Sequence, residues 1–428
     1  MRLEIGNILI SDIQFADATK VENSVLYISK EEMIKTIATD DRIVSVDLDI
    51  VRPGESVRVT PVKDVIEPRV KVSGNGGIFP GFLSSVEQVG SGRTHVLKGA
   101  AVVTTGKIVA FQEGIIDMTG PGADYTPFSK TVNLVVIAEP VDGLPQHEHE
   151  EAVRLLGYRA AKYLGEFGKD LEPDNIETYE TKPILEQVKQ YPDLPKVVYV
   201  YMLQTQGLMH DTYVYGVDAK KIIPTIIYPT EVMDGAIVSG NCVSACDKNP
   251  TYVHMNNPII VDLYKRHGID YNFLGVVITN ENVFLADKER HSNMTAKLVE
   301  FMGADAAIIS EEGFGNPDAD LIMNCRKIEK KGIKTVVVTD EYAGSDGASQ
   351  SLADSDPSAN ACVTGGNANQ LIVLPKLDKI IGHIEIVDLV SGGHDGSLRP
   401  DGSIEGEIQF ITGATSEVGF NKLTARTR

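Results

Sequence analysis

Three runs of β-branched and apolar residues, Gly275-Val-Val-Ile-Thr, Ala306-Ala-Ile-Ile-Ser and Thr335-Val-Val-Val-Thr, alternate with segments of helical period at residues 288–302 and 318–331. Runs so uniformly apolar leave no wet face, so each reads as a strand buried on both sides, which requires helices above and below a parallel sheet. The reading is a three-layer, Rossmann-like α/β domain in the C-terminal half. Residues 1–141 have a different rhythm, with short runs such as Val57-Arg-Val-Thr-Pro, Val70-Lys-Val and Ala101-Val-Val-Thr-Thr broken by glycine and proline. That pattern predicts a β-rich domain. Between the two, Val153, Leu155, Leu156, Tyr158, Ala161, Tyr163 and Leu164 recur at helical spacing across residues 146–168, and Val197-Val-Tyr-Val-Tyr-Met follows as a strand. The chain therefore divides into a β-rich domain (1–141), an α/β segment (142–241) and an α/β domain (242–428). There are no internal repeats and no low-complexity segments.

Charge narrows the classes of partner. The 428 residues include 40 basic and 60 acidic side chains, a formal net charge of −20. Without a basic stripe, that balance disfavours nucleic acid and anionic membrane surfaces. The start, Met1-Arg-Leu-Glu-Ile, alternates like a strand and lacks the apolar run of a signal peptide, and no stretch is apolar enough for a membrane span. Four cysteines, at 242, 246, 325 and 362, fit a reducing cytoplasm rather than a disulfide scaffold.

The chemistry in the chain centres on Ser239-Gly240-Asn241-Cys242. A thiol directly after a carbonyl can attack it, move the acyl group from nitrogen to sulfur and convert the Asn241–Cys242 peptide bond into a labile thioester. Loss of the sulfur by β-elimination leaves dehydroalanine, which tautomerises and hydrolyses to a pyruvoyl group. No ordinary side chain is an electrophilic ketone, so such a group is a cofactor made from the chain itself. Gly240 lets the backbone enter the turn such an attack needs. The bland alternative for Cys242 is a buried structural thiol.

Other motifs carry less. His147-Glu148-His149-Glu150 resembles a metal cluster, but residues two apart do not share a helix face, and acidic residues there suit a helix start. Cys242 and Cys246 are spaced for a redox pair or a metal, with no second pair of matching spacing. The runs Gly74-Asn-Gly-Gly77, Gly313-Phe-Gly315 and Ser391-Gly-Gly-His-Asp-Gly396 match no phosphate-binding fingerprint and read as turns. Gly315-Asn-Pro-Asp, after a strand and before a helix, is placed where α/β folds bind ligands, or else caps the helix through Asn316 or Asp318. Neither metal nor nucleotide is expected.

The blocks Arg52-Pro-Gly-Glu-Ser-Val-Arg, Asp64-Val-Ile-Glu-Pro-Arg69, Gly90-Ser-Gly-Arg-Thr-His95, Tyr179-Glu-Thr-Lys-Pro183, Gln206-Gly-Leu-Met-His-Asp-Thr212, Gly240-Asn-Cys-Val243, Leu285-Ala-Asp-Lys-Glu-Arg290 and Glu311-Glu-Gly-Phe-Gly-Asn-Pro317 occur in one order along the chain. In these blocks the sequence resembles the proprotein subunit of component B of the clostridial glycine reductase complex, with relatives in sarcosine and betaine reductases. The resemblance implies cleavage before the cysteine that becomes the pyruvoyl group, here Cys242. It also implies a separate selenocysteine-containing subunit of component B, a carboxymethyl-accepting selenoprotein and an acetyl-phosphate-forming component as partners. The activity implied is reductive cleavage of the C–N bond of glycine, with sarcosine or betaine as alternatives, and a Schiff base from ketone to substrate amine as the means of activation.

A glycine-like substrate sets further demands. Its carboxylate suits an arginine fork, and Arg93, between glycines in Gly90-Ser-Gly-Arg-Thr-His95, is the first candidate, with His95 beside it. An exposed arginine of no special role is the alternative. Proton transfers call for a group that titrates near neutrality, and His95, His210 and His254 are the candidates. Two other classes fit the residues. An N-terminal-nucleophile cysteine amidohydrolase would cut itself at the same bond but keep the thiol, and a non-enzymatic binding or assembly subunit would leave the bond intact.

Overall fold

Residues 196–203 alternate Val, Tyr and Met so that both faces of a strand are apolar, and in the computed structural model they form the strand Lys196–Leu203, buried on both sides. The structure describes residues 1–207, 212–240 and 244–419, and the backbone of 424–427. Lys196–Leu203 lies inside a seven-stranded sheet ordered Thr225–Ile227, Asn272–Asn280, Lys196–Leu203, Ala306–Ser310, Lys334–Glu341, Ala361–Asn367 and Thr424–Thr427. The five inner strands are parallel, and both edge strands are antiparallel.

Helices Leu285–Phe301 and Asn316–Glu329 cover one face, burying Val198, Val200, Met202, Leu274, Val277 and Ile309 against Ala296, Val299, Leu321 and Ile328. Opposite, Tyr199, Tyr201, Val276 and Ile278 pack with Val253, Ile260 and Leu263 from the short helices Thr251–Met255 and Pro258–Arg266. Helices on both faces are why these strands have no polar side. The cover is incomplete: Ile308, Val336 and Val363 line an open cleft of about 670 Å³ facing Arg69 and Lys98.

Residues 1–141 contribute twelve strands and one α-helix, Lys30–Ile37. Arg2–Leu9 runs parallel to Gly92–Lys98, and Ala100–Gly106 runs parallel to Val132–Pro140. The long helix Gln146–Glu166 packs across these layers. Gly165 permits that approach, since a Cβ there would stand 2.1 Å from the carbonyl oxygen of Arg69.

Two connections cross the boundaries read from sequence. Lys379–Gly382 returns from the C-terminal half to pair with Val57–Val62 in the N-terminal layer. Lys196–Leu203 and Thr225–Ile227, from before residue 241, are hydrogen-bonded to strands from after it. Strands from both sides of the proposed cut at 241/242 therefore share one sheet. A processed chain is expected to elute as one species in native size-exclusion chromatography and to separate into fragments only in denaturant. Separation without denaturant would mean that this sheet does not hold the halves together.

Candidate active site

In chain order the parallel strands begin with Lys196–Leu203, then place Asn272–Asn280 on one side of it and Ala306–Ser310 on the other. Where the order reverses, connections leave in opposite directions and open a crevice at the carboxyl ends of the strands, the usual ligand position in such sheets. The residues leaving those ends are Gln204, Thr205, Glu281, Glu311 and Glu312, and Asp340 sits near the end of Lys334–Glu341.

Into this edge runs the segment that follows residue 243. The Cys246 N–H donates to the Gln409 carbonyl (3.1 Å), Gly413 N–H to the Ala245 carbonyl (2.7 Å) and Thr415 N–H to the Cys246 carbonyl (3.1 Å). Asn249 N–H donates to Glu312 Oε1 (3.0 Å). The result is a group of buried carboxylates: Asp247, Glu281, Glu311, Glu312, Asp340 and Glu417, each at most 1% exposed. Burial first, and then mutual negative charge, pushes the carboxyls of Asp247, Glu311, Asp340 and Glu417 well above the usual range. None of these four has an ion-pair partner among the described residues, and each keeps at least one oxygen without a hydrogen bond. Glu417 is typical, with Oε1 accepting from Gly313 N–H (2.9 Å) and Oε2 free.

A different network holds the chain before residue 241. Ser239 closes the strand Ile237–Ser239, its N–H donates to Thr251 Oγ1 (3.1 Å), and its carbonyl accepts from Tyr158 Oη (3.1 Å). Thr251 in turn donates to Asp64 from its hydroxyl (2.6 Å) and its N–H (2.9 Å). Burial lifts the Asp64 carboxyl to about 6 despite these bonds. Ser239 and Gly240 line a cavity of about 20 Å³ with Lys63, Asp64, Thr104, Glu150 and Arg154. That is room for one water molecule among polar groups.

Of the residues picked out from sequence, Asn241, Cys242 and His210 lie outside the described residues. His254 is buried on Thr251–Met255, shares a 2.8 Å hydrogen bond between Nδ1 and Tyr201 Oη, and is held down to about 3 by burial and by Lys248. It is neutral at physiological pH. Arg93 lies on Gly92–Lys98 with its guanidinium on one oxygen of Glu4 (2.9 and 2.6 Å), on the neighbouring strand. His95 is buried in the same strand, its Nδ1 2.9 Å from the Gly168 carbonyl oxygen and its ring against Gly6. The partners of both belong to the N-terminal sheet and the end of the long helix, not to the segments around residue 241. Glu150 is taken by Arg154 (2.7 Å), four residues along the helix that begins at Gln146. Asp318 caps its helix by accepting from Gly315 N–H (2.9 Å), while the preceding Glu311 and Glu312 face the crevice edge.

The acids themselves had a signal in the sequence. At or near the carboxyl end of each of three strands a polar residue is followed by an acid: Asn280-Glu281, Ser310-Glu311-Glu312 and Thr339-Asp340.

A family model described as glycine/sarcosine/betaine reductase component B subunits matches residues 1–426. The chain belongs to that family. It is 75% identical over 429 residues to "glycine reductase complex component B subunits alpha and beta" of Acetoanaerobium sticklandii, and 70% identical over 426 residues to the protein so named in Peptoclostridium acidaminophilum. It is 58% identical over 426 residues to the "sarcosine reductase complex component B subunit alpha" of the latter organism. All three alignments span the whole of both chains. No solved structure matches. The family match covers both segments that flank residue 241 and every acid of the crevice. Among the described residues no helix is long and apolar enough to cross a membrane.

Proposed function

We propose that this chain is a self-cutting precursor, processed between Asn241 and Cys242, that activates glycine within component B of a glycine reductase complex. The observation that carries the reading is the set of four buried carboxyls without an ion-pair partner among the described residues, Asp247, Glu311, Asp340 and Glu417, at the carboxyl edge of the sheet, which residues 244–249 enter. Glycine, sarcosine and betaine share a cationic nitrogen, and a cation entering among these four carboxyls favours their ionised form, so that substrate and site stabilise each other. Glycine is favoured over sarcosine because the relatives named for it are the more similar ones. A name that assigns two subunits to one chain of this length also fits a cut within it.

The pyruvoyl group expected from Cys242 would supply an electrophilic carbonyl for the substrate amine. Around it, Glu311 and Glu417 would hold the substrate nitrogen and, once ionised beside that cation, take its proton, since a carboxylate whose burial favours the protonated form is the stronger base. On the other side of the bond, Ser239 is fixed by Tyr158 and Thr251, which keeps the carbonyl side of the cut from drifting. Asp64, next to that network, would receive the thiol proton during the acyl shift. In this reading the chain passes a carboxymethyl group to a selenocysteine on a partner subunit, and a further component yields acetyl phosphate. Its site is cytoplasmic.

The test is intact-mass analysis of denatured protein from its native host, with fragments 1–241 and 242–428 expected and no free amino terminus on the second. A free N-terminal cysteine on that fragment would establish the amidohydrolase reading instead, and an intact chain would leave a binding subunit. Processing in vitro should also follow Asp64. A base works when deprotonated, so the rate should rise with pH through about 6 and then level. Asp64→Asn should remove that limb, and a pH profile unchanged in the variant would dismiss Asp64 as the proton acceptor.

A further inference from the structure

Cys246, Asp247 and Asp340 bring one sulfur and two carboxylate oxygens within 4.8 Å of one another, in a place where all three side chains are at most 1% exposed. Asp247 follows Cys246 in the chain, whereas Asp340 arrives from the end of the strand Lys334–Glu341, so the fold rather than local sequence assembles the group. Neither oxygen of Asp247 has a hydrogen bond, nor does Oδ1 of Asp340. Desolvating a carboxylate is costly, so two of them with free oxygens at one buried point either keep their protons or exchange them for a positive partner.

We infer that Cys246, Asp247 and Asp340 form a binding site for a divalent transition-metal ion. The donor set argues for the class of ion. Magnesium and calcium take oxygen donors alone, while one thiolate with two carboxylates suits zinc, iron(II) or cobalt(II). A tetrahedral ion with bonds of about 2.0–2.3 Å holds its donors roughly 3.5 Å apart, so these three need to draw in by at most about 1.3 Å. On binding, the thiol and any protonated carboxyl release their protons to solvent, and the metal takes the lone pairs they free.

The surroundings resemble an outer shell. Thr415 Oγ1 donates to Asp340 Oδ2 (2.9 Å), which leaves Oδ1 for the ion. Tyr342 Oη stands 3.7 Å from the Cys246 sulfur, and the Tyr342 ring stacks on Phe314. Partners of this kind orient ligands and tune their basicity. Three protein ligands leave one position open, the arrangement of a reactive rather than a closed structural zinc site. An anionic oxygen such as a substrate carboxylate fits that position, a task for which Arg93 is already committed to Glu4. The last step rests on the proposed function; the metal site does not.

Cobalt(II) titration of the metal-stripped full-length chain, in both the wild type and the uncut Cys242→Ala variant, tests the site apart from the processing. About one ion per chain is expected, with thiolate-to-cobalt charge-transfer absorption, and a hundredfold excess of magnesium should not displace it. Cys246→Ser should abolish the absorption band. Asp247→Asn should weaken binding by at least the roughly 10–100-fold that losing an outer partner costs a metal site. Circular dichroism and a thermal melt establish that both variants are folded; should either fail to fold, Asp247→Glu, with a lengthened ligand, is expected to shift the absorption band. Absence of the band in the wild type, displacement by magnesium, or binding unchanged by both substitutions would overturn the inference.

Discussion

Replacing Cys242 with alanine should leave the chain as a single full-length band on a denaturing gel, because a methyl group cannot attack the Asn241 carbonyl. The wild type should give two fragments, the second blocked at its amino terminus and reactive with carbonyl reagents. The effect is all or none, since no other described cysteine can substitute. Cys246 is the nearest in sequence, yet it is fully buried, and burial beside Asp247 and Asp340 pushes its thiol well above the ordinary range, so it is not a thiolate at neutral pH. Cys246→Ala should therefore still be cut. Cys242→Ser should cut slowly, through an ester that can also eliminate. Cutting in Cys242→Ala would place the nucleophile elsewhere. Loss of cutting in a folded Cys246→Ala variant would exchange the roles of the two cysteines.

The fold was legible where periodicity is strong. The runs at 275–279, 306–310 and 335–339 are the cores of Asn272–Asn280, Ala306–Ser310 and Lys334–Glu341, and the intervening helices fall within three residues of the ends read from sequence. Their partners in space were not legible. Nothing in Val197-Val-Tyr-Val-Tyr-Met says that this strand lies between Asn272–Asn280 and Ala306–Ser310, because strand order is set by crossover packing rather than by local pattern. The same gap hid most of the site. Residues 247, 281, 311, 340 and 417 are scattered through the sequence, and only the sheet gathers them. Arg93 shows the reverse case: flanking glycines made it look available, while its partner Glu4 is brought alongside by parallel pairing with a strand 89 residues earlier.

Capture of substrate should separate those two kinds of residue. Borohydride added with labelled glycine is expected to fix label on the fragment that begins at residue 242, and labelled betaine, whose quaternary nitrogen has no proton to lose, should leave none. Glu417→Gln is the informative variant. Glutamine keeps an oxygen to accept from Gly313 N–H, so the loop stays held, while the free carboxylate oxygen becomes a neutral amide. Losing one charged hydrogen bond to the substrate nitrogen costs about 1.5–3 kcal/mol, so labelling at limiting glycine should fall roughly tenfold to hundredfold. Arg93→Ala should change labelling by less than about twofold, because what it removes is a partly exposed, solvent-screened ion pair with Glu4 that contributes little. The contrast is the test. If Arg93→Ala lost capture and Glu417→Gln kept it, substrate would sit on the N-terminal sheet and the acidic crevice would need another purpose; label on fragment 1–241 would assign capture to a side chain there.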